Sequence, residues 1–305
     1  MRRLITQNPE CRVTDRKLTR MRELQLLITD HVIAFCKAHD IEVVLDWGSL
    51  LGAVRHQGYI PWDDDIDLSM TRENYNKFIE LYSQADTSPF EIRCPEVYAG
   101  CPQIFIKVGL KDTLFVLLDS TSPETCAQVA IDIFVLDEAP RDQKVCKKDL
   151  VSIALNRQLF ISSQMWRAGN LQSRAKAAIF TLVRIVLHIG TSFVPRMKFY
   201  EAILKRVEHL RELAQERPVS ERTFIGVEDP IINFRLDPAW LGDRETFSTV
   251  EFEGRQYPAP RDVHQWLTAQ YGDYMTPPPP EKRYGHKPEG VVLGPWEDED
   301  PKSCW

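Results

Sequence analysis

Residues 46–69 read DWGSLLGAVRHQGYIPWDDDIDLS, and Asp63, Asp64, Asp65 and Asp67 crowd into five positions of that stretch. Like charges at such density raise the free energy unless something positive binds among them. Ile66, Leu68 and Met70 alternate with Asp65, Asp67 and Ser69, which predicts a strand over residues 65–70 with one buried face. Side chains alternate along a strand, so Asp65 and Asp67 share the other face. Oxygen ligands placed this way suit Mg²⁺ or Mn²⁺, which favour carboxylates combined with substrate phosphates. A solvated acidic turn is the alternative, and the apolar alternation argues against it.

Upstream, residues 42–45 predict a short strand that hands over at Gly48-Ser49 to a short helix over residues 50–55. A glycine at such a junction lets backbone approach a phosphate, and the first helical amides with the Ser49 hydroxyl can hold its oxygens. Gly-Ser followed by Asp-x-Asp on the next strand is the metal-and-phosphate arrangement of nucleotidyltransferases. A third carboxylate completes such a set. Asp132 stands alone in the apolar run of residues 130–136, where an unpaired charge is expensive. Its alternative is a structural pair with Lys107, and Asp137 is a second candidate for the third position.

Working outward, Leu24, Leu27, Ile28, Val32 and Phe35 recur at helical spacing and predict an amphipathic helix over residues 15–39, capped by Thr14 or Asp15. Another helix follows Thr71, with Tyr75, Phe78, Ile79 and Tyr82 on one face. Strands are expected at residues 103–109, 113–118 and 129–136, with Lys111-Asp112 turning a hairpin between the first two. From about 144 to 217 the pattern is helical. Beyond 218 it is rich in turns, with nine of the twenty prolines after residue 257. Trp266, Tyr271 and Tyr274 are expected to hold this last part against the body. The expected organisation is a catalytic core over 15–143, a helical region over 144–217, a C-terminal segment over 218–290 packing back on the core, and a tail over 291–305.

Composition narrows the partners. The 305 residues carry a net charge of −6, which argues against a nucleic-acid binder, since displacing phosphate counterions needs a basic face. Seven scattered cysteines with no Cys-x-x-Cys pair suggest reduced thiols in a cytoplasmic protein and no structural zinc. The start, MRRLITQNPE, has no apolar stretch behind its arginines, so no secretory signal is expected. Residues 177–194 are the most apolar segment, but Arg184 and His188 interrupt them and the run is short for a membrane span. They read first as a buried helix, and second as a helix lying on a membrane surface or against a partner.

Residues 47–56 and 58–67 together closely resemble the signature of the LicD family, phosphotransferases related to the fukutin proteins. Residues 131–137, Tyr271-Gly272-Asp273-Tyr274-Met275, Pro277-Pro278 and Lys282-Arg283 also match, so the resemblance runs from about Leu24 to His286. Gly48-Ser49 stands where the family often has Gly-Thr, which keeps the hydroxyl, and Val135 stands where it often has proline. The zinc-binding insertion of some fukutin relatives has no counterpart.

The resemblance implies a nucleotidyltransferase-like α/β (α+β) fold with a mixed sheet flanked by helices. It also implies transfer of a phospho-alcohol from a CDP-linked donor to a glycan or glycolipid hydroxyl, such as that of a lipopolysaccharide or teichoic acid. The group moved is phosphocholine in bacterial members and ribitol phosphate in the fukutin relatives. On that footing Asp65, Asp67 and Asp132 are the expected catalytic metal ligands for Mg²⁺ or Mn²⁺. Gly48, Ser49, Arg55, His56, Trp62, Lys107, Arg283 and His286 are the expected substrate contacts. For Arg55 an ion pair with Asp63 or Asp64 is the alternative, and for His56, Trp62 and Tyr59 it is packing. Two other readings compete: an NTP-dependent nucleotidyltransferase acting on a small molecule, and a non-catalytic scaffold of a glycan pathway. A peripheral membrane contact stays open.

Overall fold

The computed structural model describes residues 11–98, 100–116, 127–164, 174–228, 236–283 and 288–299. Thr14 starts the first helix, α1 (Asp15–Ala38), by accepting the Lys17 amide on its hydroxyl. Leu24, Leu27, Ile28 and Val32 of that helix are buried, as their spacing requires. There follow β1 (Val44–Leu45), α2 (Trp47–His56), β2 (Asp67–Thr71), α3 (Arg72–Tyr82), β3 (Phe90–Arg93), β4 (Ile106–Leu110), β5 (Leu114–Val116) and β6 (Ala130–Pro140). Helices α4 (Gln143–Ser162), α5 (Arg174–Thr191) and α6 (Met197–Gln215) form the middle of the chain. The last part holds β7 (Arg222–Ile225), α7 (Pro238–Leu241), β8 (Ser248–Phe252), β9 (Arg255–Ala259), α8 (Val263–Tyr271) and β10 (Gly290–Val292). The architecture is α/β, with a mixed sheet.

That sheet runs β1-β2-β6-β4-β3, with β7 continuing along the far end of β6. β2 and β6 are parallel and the other pairs antiparallel. Its period of two does the sorting. Ile66, Leu68 and Met70, Ile131, Ile133 and Val135, and Ile106 and Val108 bury into one core with α1, α3, α4 and α6. The opposite face must then carry Asp67 and Ser69, Asp132 and Phe134, and Lys107 and Phe105. Register aligns them in one row, because Asp132 faces Asp67 on one side and Lys107 on the other. A second core of Leu50, Leu51, Leu136, Trp266, Leu267 and Tyr274 fastens the C-terminal segment over α2.

Several expectations are corrected. The Lys111-Asp112 hairpin does not form: β4 pairs with β3 and β6, while β5 leaves the sheet to pair with β10. Asp112, at a φ of 62°, makes the turn that separates them. β3 is a strand the sequence pattern does not signal. β2 starts at Asp67, so Asp65 belongs to the incoming loop. α2 starts at Trp47 and takes Gly48 and Ser49 into its first turn. The apolar segment does form a helix, α5, but the helix is not buried. Ile179, Leu182, Val186 and Ile189 are each more than 60% exposed. No helix among the described residues is long and apolar enough to cross a membrane. Five described cysteines are buried thiols.

Candidate active site

The junction between β1 and α2 sets the site. Asp46 is fully buried, yet its carboxylate accepts four hydrogen bonds, from the Trp47 amide (2.7 Å), Trp266 Nε1 (2.7 Å), Gln270 Nε2 (2.9 Å) and Ser69 Oγ (2.6 Å). Burial raises its pKa, and the four donors oppose that rise. Trp47 then adopts a φ of 48°, a left-handed conformation that costs a bulky residue free energy and commonly marks a functional turn. The sharp turn brings the first turn of α2 against the carboxylates. A Cβ at Gly48 would lie 2.7 Å from Asp63 Oδ2 and 3.5 Å from Asp67 Oδ2. The Ser49 hydroxyl is buried and accepts the Asp67 amide at 2.9 Å, so it fixes where β2 begins.

Asp65, Asp67 and Asp132 each place a carboxylate oxygen within 4.8 Å of the others. Asp63, Asp64 and Asp65 make a second, more exposed group on the same criterion. Asp67 is buried, and that burial, followed by the charges of Asp65, Asp132, Asp63 and Asp46, pushes its pKa well above the usual carboxylate range. Three converging carboxylates with a strained charge state are chemically suited to a hard divalent cation. The loop carrying them is buttressed by α1, whose Arg22 and Gln25 donate to the carbonyls of Asp63 (2.5 Å) and Asp64 (2.9 Å). Asp132 also forms an ion pair with Lys107. Asp132 thus faces the other two carboxylates and has a cation at its side. Asp137 does not join them. It is buried in a two-point ion pair with Arg72, at 2.8 and 2.7 Å.

Arg55 makes no ion pair with Asp63 or Asp64. Its guanidinium donates to the Tyr274 carbonyl (2.8 Å) and to His56 Nε2 (3.0 Å). Burial, together with nearby Arg283, lowers its pKa. Arg55 and Arg283 are thus near enough for their like charges to oppose one another, a repulsion that an anion between them would relieve. Arg283 also lies over the Trp62 ring, 5.0 Å from its centroid, with His56 edge-on at 6.3 Å. Trp62, Arg283, Arg22, Asp63 and Asp64 line a cavity of about 390 Å³. A smaller one of about 80 Å³ lies between Asp64, Asp65, Lys107 and Asp132. Tyr59 has the packing role, buried with its hydroxyl donating towards the Arg22 carbonyl and Gln25 Oε1, both at 3.2 Å. His286 lies outside the described residues.

Sequence reasoning missed three features. Asp46 as a buried anchor has partners more than two hundred residues away. Tyr271 stands near enough to Asp67, Asp46, Asp63 and Asp65 for their charges, after burial, to push its hydroxyl pKa up. Trp47, Phe134 and Phe105 form a half-exposed aromatic wall beside the carboxylates, with ring centroids 5.7 and 4.7 Å apart. The last was legible in principle, since Phe134 lies two residues from Asp132 and Phe105 two from Lys107, each on the same strand face.

A mixed sheet whose parallel pair carries facing aspartates beside the first turn of a helix is the arrangement that the nucleotidyltransferase resemblance leads one to expect. Residues 40–120 match the family described as LicD/FKTN/FKRP, nucleotidyltransferase domain. The chain is 28% identical to the lipopolysaccharide cholinephosphotransferase LicD of Haemophilus influenzae over 289 residues, 89% of this chain and 97% of that protein. Shorter matches join it to uncharacterised proteins of Rickettsia typhi (34% over 89 residues, 28% of this chain and 29% of the other) and Rickettsia prowazekii (30% over 70 residues, 23% and 26%). These matches support reading the chain as a LicD-type phosphotransferase.

Proposed function

We propose that this protein transfers phosphocholine from a CDP-linked donor to a glycan hydroxyl and releases CMP, with Mg²⁺ or Mn²⁺ held by Asp65, Asp67 and Asp132. The observation that carries the reading is the convergence of those three carboxylates within 4.8 Å next to two guanidiniums, Arg55 and Arg283, that have no carboxylate partner among the described residues. The likeness to the Haemophilus cholinephosphotransferase supports the choice of phosphocholine. A divalent cation here supplies charge neutralisation for the phosphoryl oxygens and for the departing phosphate.

The chain's own groups do the rest. Arg55 and Arg283 clamp the diphosphate, whose charge relieves their mutual repulsion. Trp62 offers a ring face for the cytosine within the larger cavity. The wall of Trp47, Phe105 and Phe134 receives the trimethylammonium. Phe105 already has an ammonium nearby, with Lys107 Nζ 5.3 Å from its centroid, and quaternary ammonium groups favour such faces. Asp132 accepts the proton of the attacking hydroxyl. The new bond forms between that oxygen and the phosphorus bearing choline, the P–O bond to the bridging oxygen breaks, and CMP leaves with the electron pair. Lys107 holds Asp132 in position.

Incubating the protein with CDP-choline, CDP-ethanolamine, CDP-glycerol and CDP-ribitol plus Mg²⁺, and measuring CMP, tests this directly. CDP-choline should be preferred. Phe134→Ala should raise KM for CDP-choline several-fold and leave CDP-glycerol unchanged. Pyrophosphate from CTP in place of CMP would instead mark an NTP-dependent nucleotidyltransferase.

A further inference from the structure

Helix α5 is built inside out. Ile179, Leu182, Val183, Val186 and Ile189 recur at three- and four-residue spacing, so they share one face, and each is between 49% and 63% exposed. Phe193, just beyond the helix, is 90% exposed. The same 3.6-residue period puts Arg184 and His188 on the opposite side. There His188 Nδ1 meets the Ser162 carbonyl of α4 at 2.9 Å. An ordinary surface helix turns its apolar stripe inward; this one turns its polar side to the protein. The neighbouring α4 continues the theme, because exposed Lys144 and Lys148 precede exposed Val151 and Leu155 on one face.

Charge says what covers this surface. Lys144, Lys147 and Lys148 of α4 and Lys198 just after α5 are exposed, and residues 150–200 contain no Asp or Glu, in a chain whose net charge is −6. A second copy of the chain would bring two such acid-free stretches together and be repelled. An anionic lipid surface is attracted instead, by roughly 1 kcal/mol for each basic group close to it. The helix is too short and too interrupted to span a bilayer, but its apolar stripe suits immersion at the boundary between headgroups and acyl chains.

We propose that α5 and the outer face of α4 seat this protein on an anionic phospholipid bilayer, with α5 lying in the plane of the interface. Nothing in this depends on which group the active site transfers. The full chain should co-sediment with vesicles of phosphatidylcholine mixed with phosphatidylglycerol. It should bind pure phosphatidylcholine far less, and release as salt is raised. Val186→Asp with Ile189→Asp removes exposed apolar groups only, so the circular dichroism spectrum should stay as in the parent while partitioning falls roughly tenfold or more. Leu182→Trp gives an independent readout, with emission shifting to the blue on adding the anionic vesicles. Absence of binding at low salt, equal binding by the double variant, or an unshifted Trp emission would each overturn the proposal. So would a concentration-dependent dimer that the double variant abolishes while vesicles bind neither protein.

Discussion

At Gly48 a methyl group has no room beside the carboxylates, since it would come within 2.7 Å of Asp63 Oδ2. The obstacle is the end of a side chain, so Gly48→Ala can fold if Asp63 swings away. Displacing Asp63 disturbs the acidic group around Asp65. Gly48→Ala should therefore keep its melting temperature within a few degrees and lose Mn²⁺ affinity by an order of magnitude, measured by titration calorimetry. Unchanged affinity would mean that Asp63 has no part in the cation site. Glu228 poses a different residue-scale problem. It is buried without a hydrogen-bond partner among the other described residues, and desolvation lifts its pKa from 4.5 to about 7. The folded chain then binds a proton that the unfolded chain has lost, so stability falls as pH rises from about 4.5 to about 7. Glu228→Gln should be more stable than the parent at pH 8 by up to about 3 kcal/mol, with the gap closing near pH 4.5. Urea unfolding at both pH values in EDTA reads the difference, and parallel curves would contradict it.

Among the elements, α2, β2 and α8 are tied together at a single carboxylate. Asp46 caps the start of α2, holds Ser69 of β2 and receives Trp266 and Gln270 from α8. Asp46→Ala strands those buried donors, each costing about 1–3 kcal/mol, and should destabilise the fold by several kcal/mol in chemical denaturation. Asp46→Asn keeps one acceptor oxygen and should recover part of that loss. Equal effects of the two would show that volume, not hydrogen bonding, is what matters. α1, α2, β2 and β6 were legible because their apolar periods of 3.6 and 2 are long or flanked by strong turn residues. β3 has four residues, too few to carry a period. The partnership of β5 with β10 depends on chain more than 170 residues further on. α5 shows the limit most plainly. Its period states which residues share a face but not whether that face meets the core.

For the whole molecule, a sheet sorted by alternation puts apolar residues into one core and leaves a row of charge, Lys107, Asp132 and Asp67, on the other face. The C-terminal segment then closes over α2, bringing Tyr271 near Asp67, the Tyr274 carbonyl to Arg55 and Arg283 over Trp62. The carboxylate triad was readable from the Asp-x-Asp spacing and the lone Asp132. Arg55 and Arg283 were each expected at the site, but their nearness to one another was not readable, because it joins parts of the chain that only folding brings together. The proposed function requires that the triad, loaded with a divalent cation, cleaves a CDP-linked donor. Its most direct test is CMP release from CDP-choline by the parent and by Asp67→Asn, with Mg²⁺ and with EDTA, each protein shown folded by circular dichroism. The parent with Mg²⁺ should release CMP, and the variant, or the parent in EDTA, at least about a thousandfold less. Equal CMP release by Asp67→Asn, or release undiminished by EDTA, would contradict it.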